Sequence, residues 1–173
     1  MPAGIVRGHG GNIEVETQLG VGATFRVLLP ASERTVPVPK EPEPRRVRGT
    51  GQTILVVDDE EIVRTIAVTA LKNAGFSVLV ATNGAEALAI LTANSEVALV
   101  ILDLTMPVMT GERAIPLIKL SRPNIPIILS SGYSEAELSR RFSSAGISAF
   151  LQKPYTASAI LAKVTQILEV LTP

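Results

Sequence analysis

Four short apolar runs of this chain each end in side chains that can take part in phosphate chemistry. Two runs end in carboxylates, one in a hydroxyl and one in an ammonium; in chain order the side chains are Asp58 with Asp59, Asp103, Ser131 and Lys153. Short apolar runs that alternate with helical stretches are typical of buried parallel strands, and open α/β sheets bind ligands beyond the carboxyl ends of their strands. We therefore expect these side chains to meet at one edge of a sheet.

Three carboxylates at one edge would repel one another unless a cation neutralised them. Their oxygen atoms, with no His or Cys nearby, favour a hard ion such as Mg²⁺. A carboxylate can also accept a phosphoryl group and become an aspartyl phosphate. In such a transfer the protein mainly positions groups and neutralises charge, for which Mg²⁺, the Lys153 ammonium and the Ser131 hydroxyl are suited. Gly132, beside the serine, leaves room for the phosphoryl group.

The elements that must position these side chains begin at Thr53, where strand-like runs start to alternate with helix-like stretches. The strand-like runs are 53–57, 77–81, 98–102, 126–130 and 148–151. Strict alternation of this kind, with right-handed crossovers, predicts a doubly wound α/β domain with a parallel sheet. Gly75 and Gly146 stand where a helix needs a left-handed residue to end it. Pro116 would remove a hydrogen bond inside the third helix, so we expect that helix to start late or to bend.

Two different segments precede this domain. Residues 11–29 alternate apolar and polar side chains on both sides of a glycine-rich turn, which predicts a β-hairpin. A two-stranded hairpin is at best marginally stable in water, so we expect residues 1–30 to be a remnant of a larger domain or to pack against neighbouring structure. Residues 31–52 are rich in proline and charge, which predicts an extended, mobile linker before the domain at 53–173.

The composition argues against several classes of protein. Cysteine is absent, which excludes disulfides, thiolate metal sites and a catalytic thiol. The 16 basic and 16 acidic residues balance, so no overall field attracts nucleic acid. The apolar stretches are far shorter than the roughly 20 residues that cross a bilayer, and the first residues lack the apolar core of a signal peptide. We expect a soluble cytoplasmic protein without direct contact to nucleic acid or membrane.

The domain carries four recognisable motifs, at 55–60, 102–111, 129–133 and 150–155. Through them residues 53–173 resemble the receiver domain of two-component response regulators, and the resemblance spans the whole segment. It implies a flavodoxin-like fold in which the five parallel strands, numbered along the domain, take the order 2-1-3-4-5. The hairpin would then be an N-terminal appendage to this fold.

The same resemblance assigns the ligands of a Mg²⁺ cofactor. Asp103, the phosphoryl acceptor, and Asp59 would bind the ion directly. Asp58 would act mainly through water, and the backbone carbonyl of Thr105 would be a further ligand. Thr110 departs from the family pattern, which usually has Asp before the glycine, but it lies away from these ligands.

A phosphorelay function follows from the resemblance. Ser131 and Lys153 would grip a phosphoryl group that Asp103 receives from a phosphohistidine on a histidine kinase or histidine phosphotransfer protein. The rotamer of Phe150 would follow phosphorylation and change the surface formed by the fourth helix, fifth strand and fifth helix of the domain, through which a homodimer could also form. The chain alone is expected not to be an enzyme, apart from self-dephosphorylation. Since it ends at Pro173 without an output domain, we expect the signal to pass through a partner or a parent kinase.

The first 30 residues carry a second set of motifs, at 4–6, 9–13 and 20–25. Through them this segment resembles the C-terminal edge of the ATPase domain of a sensor histidine kinase, and kinases with a receiver fused behind them are hybrid kinases. The phosphorylatable-histidine helix and the ATP-binding motifs are missing, so we expect no useful ATP binding or autophosphorylation. His9 stands in a glycine-rich turn, and we interpret it as structural. An alternative function is a hybrid-kinase fragment whose receiver regulates the kinase core in cis.

Other interpretations compete with these. A Mg²⁺-dependent phosphatase could use Asp103 as a transient nucleophile, but phosphatases resembling the haloacid dehalogenase family carry a second Asp where this chain has Thr105. A degenerate receiver that only binds partners would lack key residues that are present here. Taken alone, the acidic run 58–61 could simply favour the start of a helix, and Phe150 and Tyr155 could be ordinary core or surface aromatics.

Overall fold

A computed structural model describes residues 6–7, 10–31, 51–143 and 145–171. These residues form two compact units, the first within residues 1–40 and the second from residue 41 onward. Nearly all of the predicted linker, and His9, lie outside the described residues, so their interpretation stays a prediction.

The first unit is the predicted hairpin. Strand β1 covers Asn12–Gln18 and strand β2 covers Gly22–Leu28, and the two pair antiparallel. Ile13 lies opposite Val27, and Val15 opposite Phe25. Since alternate residues of a strand share a face, these four apolar side chains line one face of the hairpin. That face is solvent-exposed, with half of Val15 and more than half of Phe25 accessible.

The second unit is built on a parallel sheet. Its strands are β3 (Thr53–Val57), β4 (Ser77–Ala81), β5 (Val97–Asp103), β6 (Ile127–Ser131) and β7 (Ala149–Gln152). They lie side by side in the order β4-β3-β5-β6-β7, and each neighbouring pair is parallel. This is the predicted strand order 2-1-3-4-5 of a flavodoxin-like fold, which the structure confirms. The observed strands differ from the predicted ones by at most one residue at either end.

A helix follows each of the five strands of this sheet. They are α1 (Glu61–Asn73), α2 (Gly84–Ala93), α3 (Gly111–Ser121), α4 (Glu135–Arg141) and α5 (Ala157–Leu171). Polar caps set three of their starts, because a side-chain oxygen accepts from backbone N–H groups that the helix leaves free. Asn83 caps α2, Thr110 caps α3, and Ser134 forms a reciprocal capping box with Glu137 in α4. No helix in the described ranges is both long and apolar enough to cross a bilayer.

Two apolar layers cover the sheet, one on each face. Leu55 and Val57 of β3 face the layer that contains α2, α3 and α4, whereas Ile54 and Val56 face the layer that contains α1 and α5. Alternation continues past the strand end, so Asp58 belongs to the side of α1 and α5. By the same alternation Asp103, which follows Leu102 of the other layer, lies on that side too.

Two local predictions about helix ends have opposite outcomes. Gly75 and Gly146 have the positive φ angles predicted for them, 91° and 68°. For the third helix, the first of the two predicted alternatives, a late start, is wrong, because α3 begins at Gly111 and continues through Pro116 to Ser121; the second, a bend at the proline, stays a prediction. The Thr110 cap fixes the start of the helix, and the proline removes one backbone donor without ending it.

Gly111→Ala is expected to destabilise the domain by about 1–3 kcal/mol, the usual cost of forcing extra atoms into a packed region. A Cβ on Gly111 would clash with the carbonyl oxygen of Asp103 and would lie 3.0 Å from Cα of Leu104. Chemical denaturation measures this loss. Gly132→Ala is the matched control, because a Cβ there has no heavy atom within 4 Å, and its stability should change by less than about 0.5 kcal/mol. Equal stability of Gly111→Ala and the native protein would contradict the close approach of α3 to β5.

Candidate functional site

The carboxyl ends of β3, β5 and β7 bring two buried carboxylates and an ammonium together. Nζ of Lys153 lies 2.8 Å from Oδ2 of Asp58 and 3.1 Å from Oδ1 of Asp103. Asp58 directly follows β3, and Asp103 is the last residue of the neighbouring strand β5. The two aspartates are 2% and 4% exposed, so their charges are balanced inside the protein rather than by water.

Asp59 completes a cluster of three carboxylates. One oxygen of each of Asp58, Asp59 and Asp103 can be chosen so that all three lie within 4.8 Å of one another, and Asp59 is the exposed member. Oδ1 of Asp58 accepts the backbone N–H of Glu60 at 3.0 Å, while its buried Oδ2 is paired with the Lys153 ammonium. An all-oxygen set of three carboxylates, of which the two buried ones share a single ammonium, fits a hard divalent cation such as Mg²⁺.

The surroundings of Lys153 fix its position. Its backbone N–H donates to the carbonyl of Ser131 at 2.7 Å, its side chain is 17% exposed, and the peptide bond to Pro154 is cis. Burial lowers the pKa of Lys153, but hydrogen bonds and charge from Asp58 and Asp103 outweigh burial and raise the pKa above its usual value. The lysine is therefore a permanent cation at this edge.

Asp103 responds to burial in the opposite way. Removal of the carboxylate from water raises its pKa to about 6, although the nearby Lys153 ammonium opposes this rise. The neighbouring charge of Asp58 raises it further. A bound divalent cation would favour the ionised form, which is the form that can attack phosphorus.

Ser131 and Phe150 lie on β6 and β7, the two strands that follow β5 in the sheet. Ser131 ends β6, is 3% exposed, and its Oγ accepts the backbone N–H of Tyr133 at 3.2 Å. Phe150 of β7 pairs with Leu129 of β6 and packs against the layer of α2, α3 and α4. Its ring lines a cavity of about 560 Å³ between α4, β7 and α5.

The loop between β5 and α3 carries Thr105, an exposed residue two positions after Asp103. Two backbone hydrogen bonds of 3.0 Å close this loop: Gly111 N–H donates to the Leu104 carbonyl, and Gly84 N–H donates to the Met109 carbonyl. These bonds tie the loop to the end of β5 and to the start of α2. The position of the Thr105 carbonyl is therefore set by the surrounding structure.

Val108, in the same loop, adopts a backbone conformation that is rare for its type. Its φ is 64°, and the N–H of Met109 donates across it to the carbonyl of Pro107 at 2.7 Å. A β-branched residue in the left-handed region is strained. Since the side chain is 80% exposed, packing of Val108 itself does not impose this conformation; the loop on either side of it is held by the two closing hydrogen bonds and by Met106 and Met109, which pack on the core.

Sequence reasoning missed three residues of this site. Glu60 places Oε1 3.4 Å from Nζ of Lys153, and its position directly after the acidic pair was the available signal. Ser130 and Tyr155 are the other two. Ser130 pairs with Asp103 in the sheet, and the Tyr155 hydroxyl lies in the field of Asp58, Asp103 and Lys153. Sequence offered a weak signal for them, because each is next to a predicted site residue or only two positions away.

Asp103→Asn is expected to raise the melting temperature of the metal-free protein by several degrees above about pH 6, because burial of the ionised carboxylate costs free energy. The folded-state pKa lies above the unfolded value of 3.8, so this cost is fully present above the folded pKa and disappears as the pH falls toward the unfolded one. Melting curves across this range measure the difference. Mg²⁺ should raise the melting temperature of the native protein and have little effect on Asp103→Asn. A difference between the two proteins that does not depend on pH would contradict the raised pKa.

Comparisons with known proteins address the whole chain. The sensor kinase CckA of Brucella abortus is 32% identical over 178 aligned residues, which cover 98% of this chain and 19% of the relative. The autoinducer 1 sensor kinase/phosphatase LuxN of Vibrio harveyi is 31% identical, over 78% of this chain and 18% of the relative. The chain thus spans less than a fifth of the length of these curated relatives.

Structural and family comparisons agree on the domain from residue 53. The chemotaxis response regulator CheY4 of Vibrio cholerae superposes with a TM-score of 0.64 and 27% identity, covering 68% of this chain and 99% of that one. The family model of the response regulator receiver domain matches residues 54–165, which is well over half of the chain. These residues include the three aspartates and the lysine that meet at the sheet edge. The chain therefore belongs to the response regulator receiver domain family of two-component signalling.

Proposed function

We propose that Asp103 accepts a phosphoryl group from a phosphohistidine, in a reaction that depends on Mg²⁺. The observation that carries this proposal is the position of the Lys153 ammonium, within 3.1 Å of the buried Asp103 carboxylate and beside a second buried carboxylate. Such an arrangement concentrates positive charge where a phosphoryl group on Asp103 would place its oxygens. The family supports the donor, because receiver domains act with histidine kinases or phosphotransfer proteins.

The reaction needs little from the protein beyond position and charge. A carboxylate oxygen of Asp103 forms a bond to phosphorus while the phosphorus–nitrogen bond breaks, and the imidazole nitrogen keeps the electron pair. Lys153 balances the charge of the phosphoryl oxygens, and the Ser131 hydroxyl is proposed to donate a hydrogen bond to one of them. Asp58, Asp59, Asp103 and the Thr105 carbonyl would hold Mg²⁺. When bound, the ion supplies neutralising charge for the carboxylates and the phosphoryl oxygens.

The output is proposed to be a change on the face formed by α4, β7 and α5. Phe150 connects the site with that face. It pairs with Leu129 of β6, two residues before Ser131, and it lines the cavity between α4 and α5. An exposed ion pair of 3.7 Å between Lys163 and Glu135 bridges the two helices. A new rotamer of Phe150 would alter the cavity and this bridge, and with them the binding of a partner or of a second copy of the chain.

Phosphorylation is tested by incubation of the chain with Mg²⁺ and phosphoramidate, a small donor with a phosphorus–nitrogen bond, followed by intact-mass measurement. One phosphoryl group should add to the native protein, and Asp103→Asn should abolish the addition. Asp59→Asn should slow it at least about tenfold by weakening Mg²⁺ binding. Glu61→Gln, which removes an exposed carboxylate just after the cluster, is the matched control and should react like the native protein. Addition to Asp103→Asn at the native rate would show that another residue is the acceptor.

A second proposal concerns residues 1–30, as the C-terminal edge of a histidine kinase ATPase domain. The match to a sensor kinase covers 98% of the chain, so it includes the hairpin as well as the receiver domain. The exposed apolar face of the hairpin fits a segment that packs against further structure. The receiver would then regulate a kinase core of the same polypeptide. The reading frame upstream of Met1 tests this idea: a kinase core in frame supports it, and an unrelated or closed frame overturns it.

The chain by itself is proposed not to phosphorylate itself from ATP. Incubation with Mg²⁺ and radiolabelled ATP should leave the protein unlabelled, while phosphoramidate modifies the same preparation. The phosphoramidate reaction shows that the preparation is competent. Acid-labile or alkali-labile label from ATP alone would contradict the proposal and would indicate kinase function within these 173 residues.

A further inference from the structure

The hydroxyl of Ser130 is a buried polar group that the proposed reaction does not use. Ser130 is fully buried, and its Oγ has no hydrogen-bond partner. In the sheet it pairs with Asp103 of β5 on one side and with Leu151 of β7 on the other. Its side chain lies on the face of Leu151, toward α1 and α5, opposite to that of Ser131. A buried hydroxyl without a partner costs free energy, so its presence beside the phosphoryl acceptor calls for a reason.

Tyr155 brings a second hydroxyl to the same place. Its ring is partly buried and packs in the layer of α1 and α5. Its hydroxyl interacts with the side chain of Ser130 and lies in the field of Asp58, Lys153 and Asp103, while burial raises the pKa of the tyrosine. The two hydroxyls are thus neighbours, close enough to interact but without the geometry of a completed hydrogen bond. A small shift of either hydroxyl would complete it.

The position of Tyr155 in the chain links this pair to the reaction. Tyr155 is two residues beyond Lys153. The backbone N–H of Lys153 itself donates to the carbonyl of Ser131 on β6, so this segment is already attached to β6 at the lysine. A contact between Tyr155 and Ser130 would attach the chain to β6 a second time, two residues after the lysine. The ammonium has a competing partner, since the exposed carboxylate of Glu60 lies 3.4 Å away. A segment fixed at both ends would favour the contacts with the buried aspartates.

We propose that the hydroxyls of Ser130 and Tyr155 form a pair that positions Lys153 for phosphoryl acceptance by Asp103. Both are positioning residues, because they act through the lysine and do not touch the reacting atoms. The proposal rests on the proposed phosphorylation of Asp103. Packing alone would be served by Phe and Ala at these two positions, so the hydroxyls are the groups to test.

Tyr155→Phe and Ser130→Ala, singly and together, remove the hydroxyls with little change in shape. Phosphorylation by phosphoramidate with Mg²⁺, followed by intact mass over a range of donor concentrations, gives the maximal rate and the half-saturating concentration. Each single variant should lose about fivefold in maximal rate, the size of one hydrogen bond, with an unchanged half-saturating concentration. The double variant should lose no more than either single one, because both substitutions break the same contact. In a Lys153→Met background, Tyr155→Phe should have no further effect on the residual rate.

Tyr133→Phe is the matched control, because it removes a hydroxyl from a half-exposed tyrosine just beyond Ser131 and should leave the rate unchanged. Melting temperatures separate positioning from packing, because a loss of rate in a variant that melts like the native protein cannot come from damaged packing. Native rates for Tyr155→Phe and Ser130→Ala would overturn the inference, as would independent, additive losses. If the native chain itself takes up no phosphoryl group, the proposed function fails instead, so the two failures are distinguishable.

Discussion

The ion pairs of Lys153 with Asp58 and Asp103 are the interaction on which this edge of the molecule depends. Two buried carboxylates on neighbouring strands repel each other, and their repulsion is tolerable because one ammonium lies within about a hydrogen-bond length of both. That geometry requires three strands to end at the same level of the sheet, with the lysine carried by a strand two places away from β5. The parallel register and the two apolar layers supply this alignment. The core therefore fixes the position of the charges.

Burial acts in two directions on these charges. It makes the ionised form of Asp103 costly and raises its pKa to about 6, and the same low-polarity surroundings strengthen the attraction of the carboxylate to any nearby cation. A metal-free site is consequently held together by the lysine, whose single positive charge does not balance the three carboxylates of Asp58, Asp59 and Asp103. An added divalent cation would remove that deficit. The proposed reactivity of Asp103 would thus be coupled to occupancy by a cation.

Sequence patterns predicted the strands well because each apolar run is short, continuous and followed by a polar residue. The run ending at Asp103 is an example, since a buried strand must stop where a charged side chain needs a partner. Contacts that depend on side-chain direction escaped prediction. Glu60 seemed part of a helix start, and the approach of Tyr155 to Ser130 follows from the alternation of β6 and the path of the chain after Lys153. Of the two alternatives predicted for α3, the late start does not occur, because the Thr110 cap sets the start of the helix ahead of Pro116.

The left-handed Val108 implies that the loop beyond Asp103 has no intrinsic preference for its folded shape. A free peptide of the same sequence would relax to a conformation with negative φ, because the strain is offset by hydrogen bonds to the rest of the domain and by burial of Leu104 and Met106 in its core. The Thr105 carbonyl belongs to this loop, so in the proposed Mg²⁺ site this ligand would be in place only while those bonds are closed. Local opening of the loop, which requires less free energy than melting of the sheet, would dismantle the ligand set first. Under the proposed function, affinity for the ion and the stability of this loop would accordingly be thermodynamically linked.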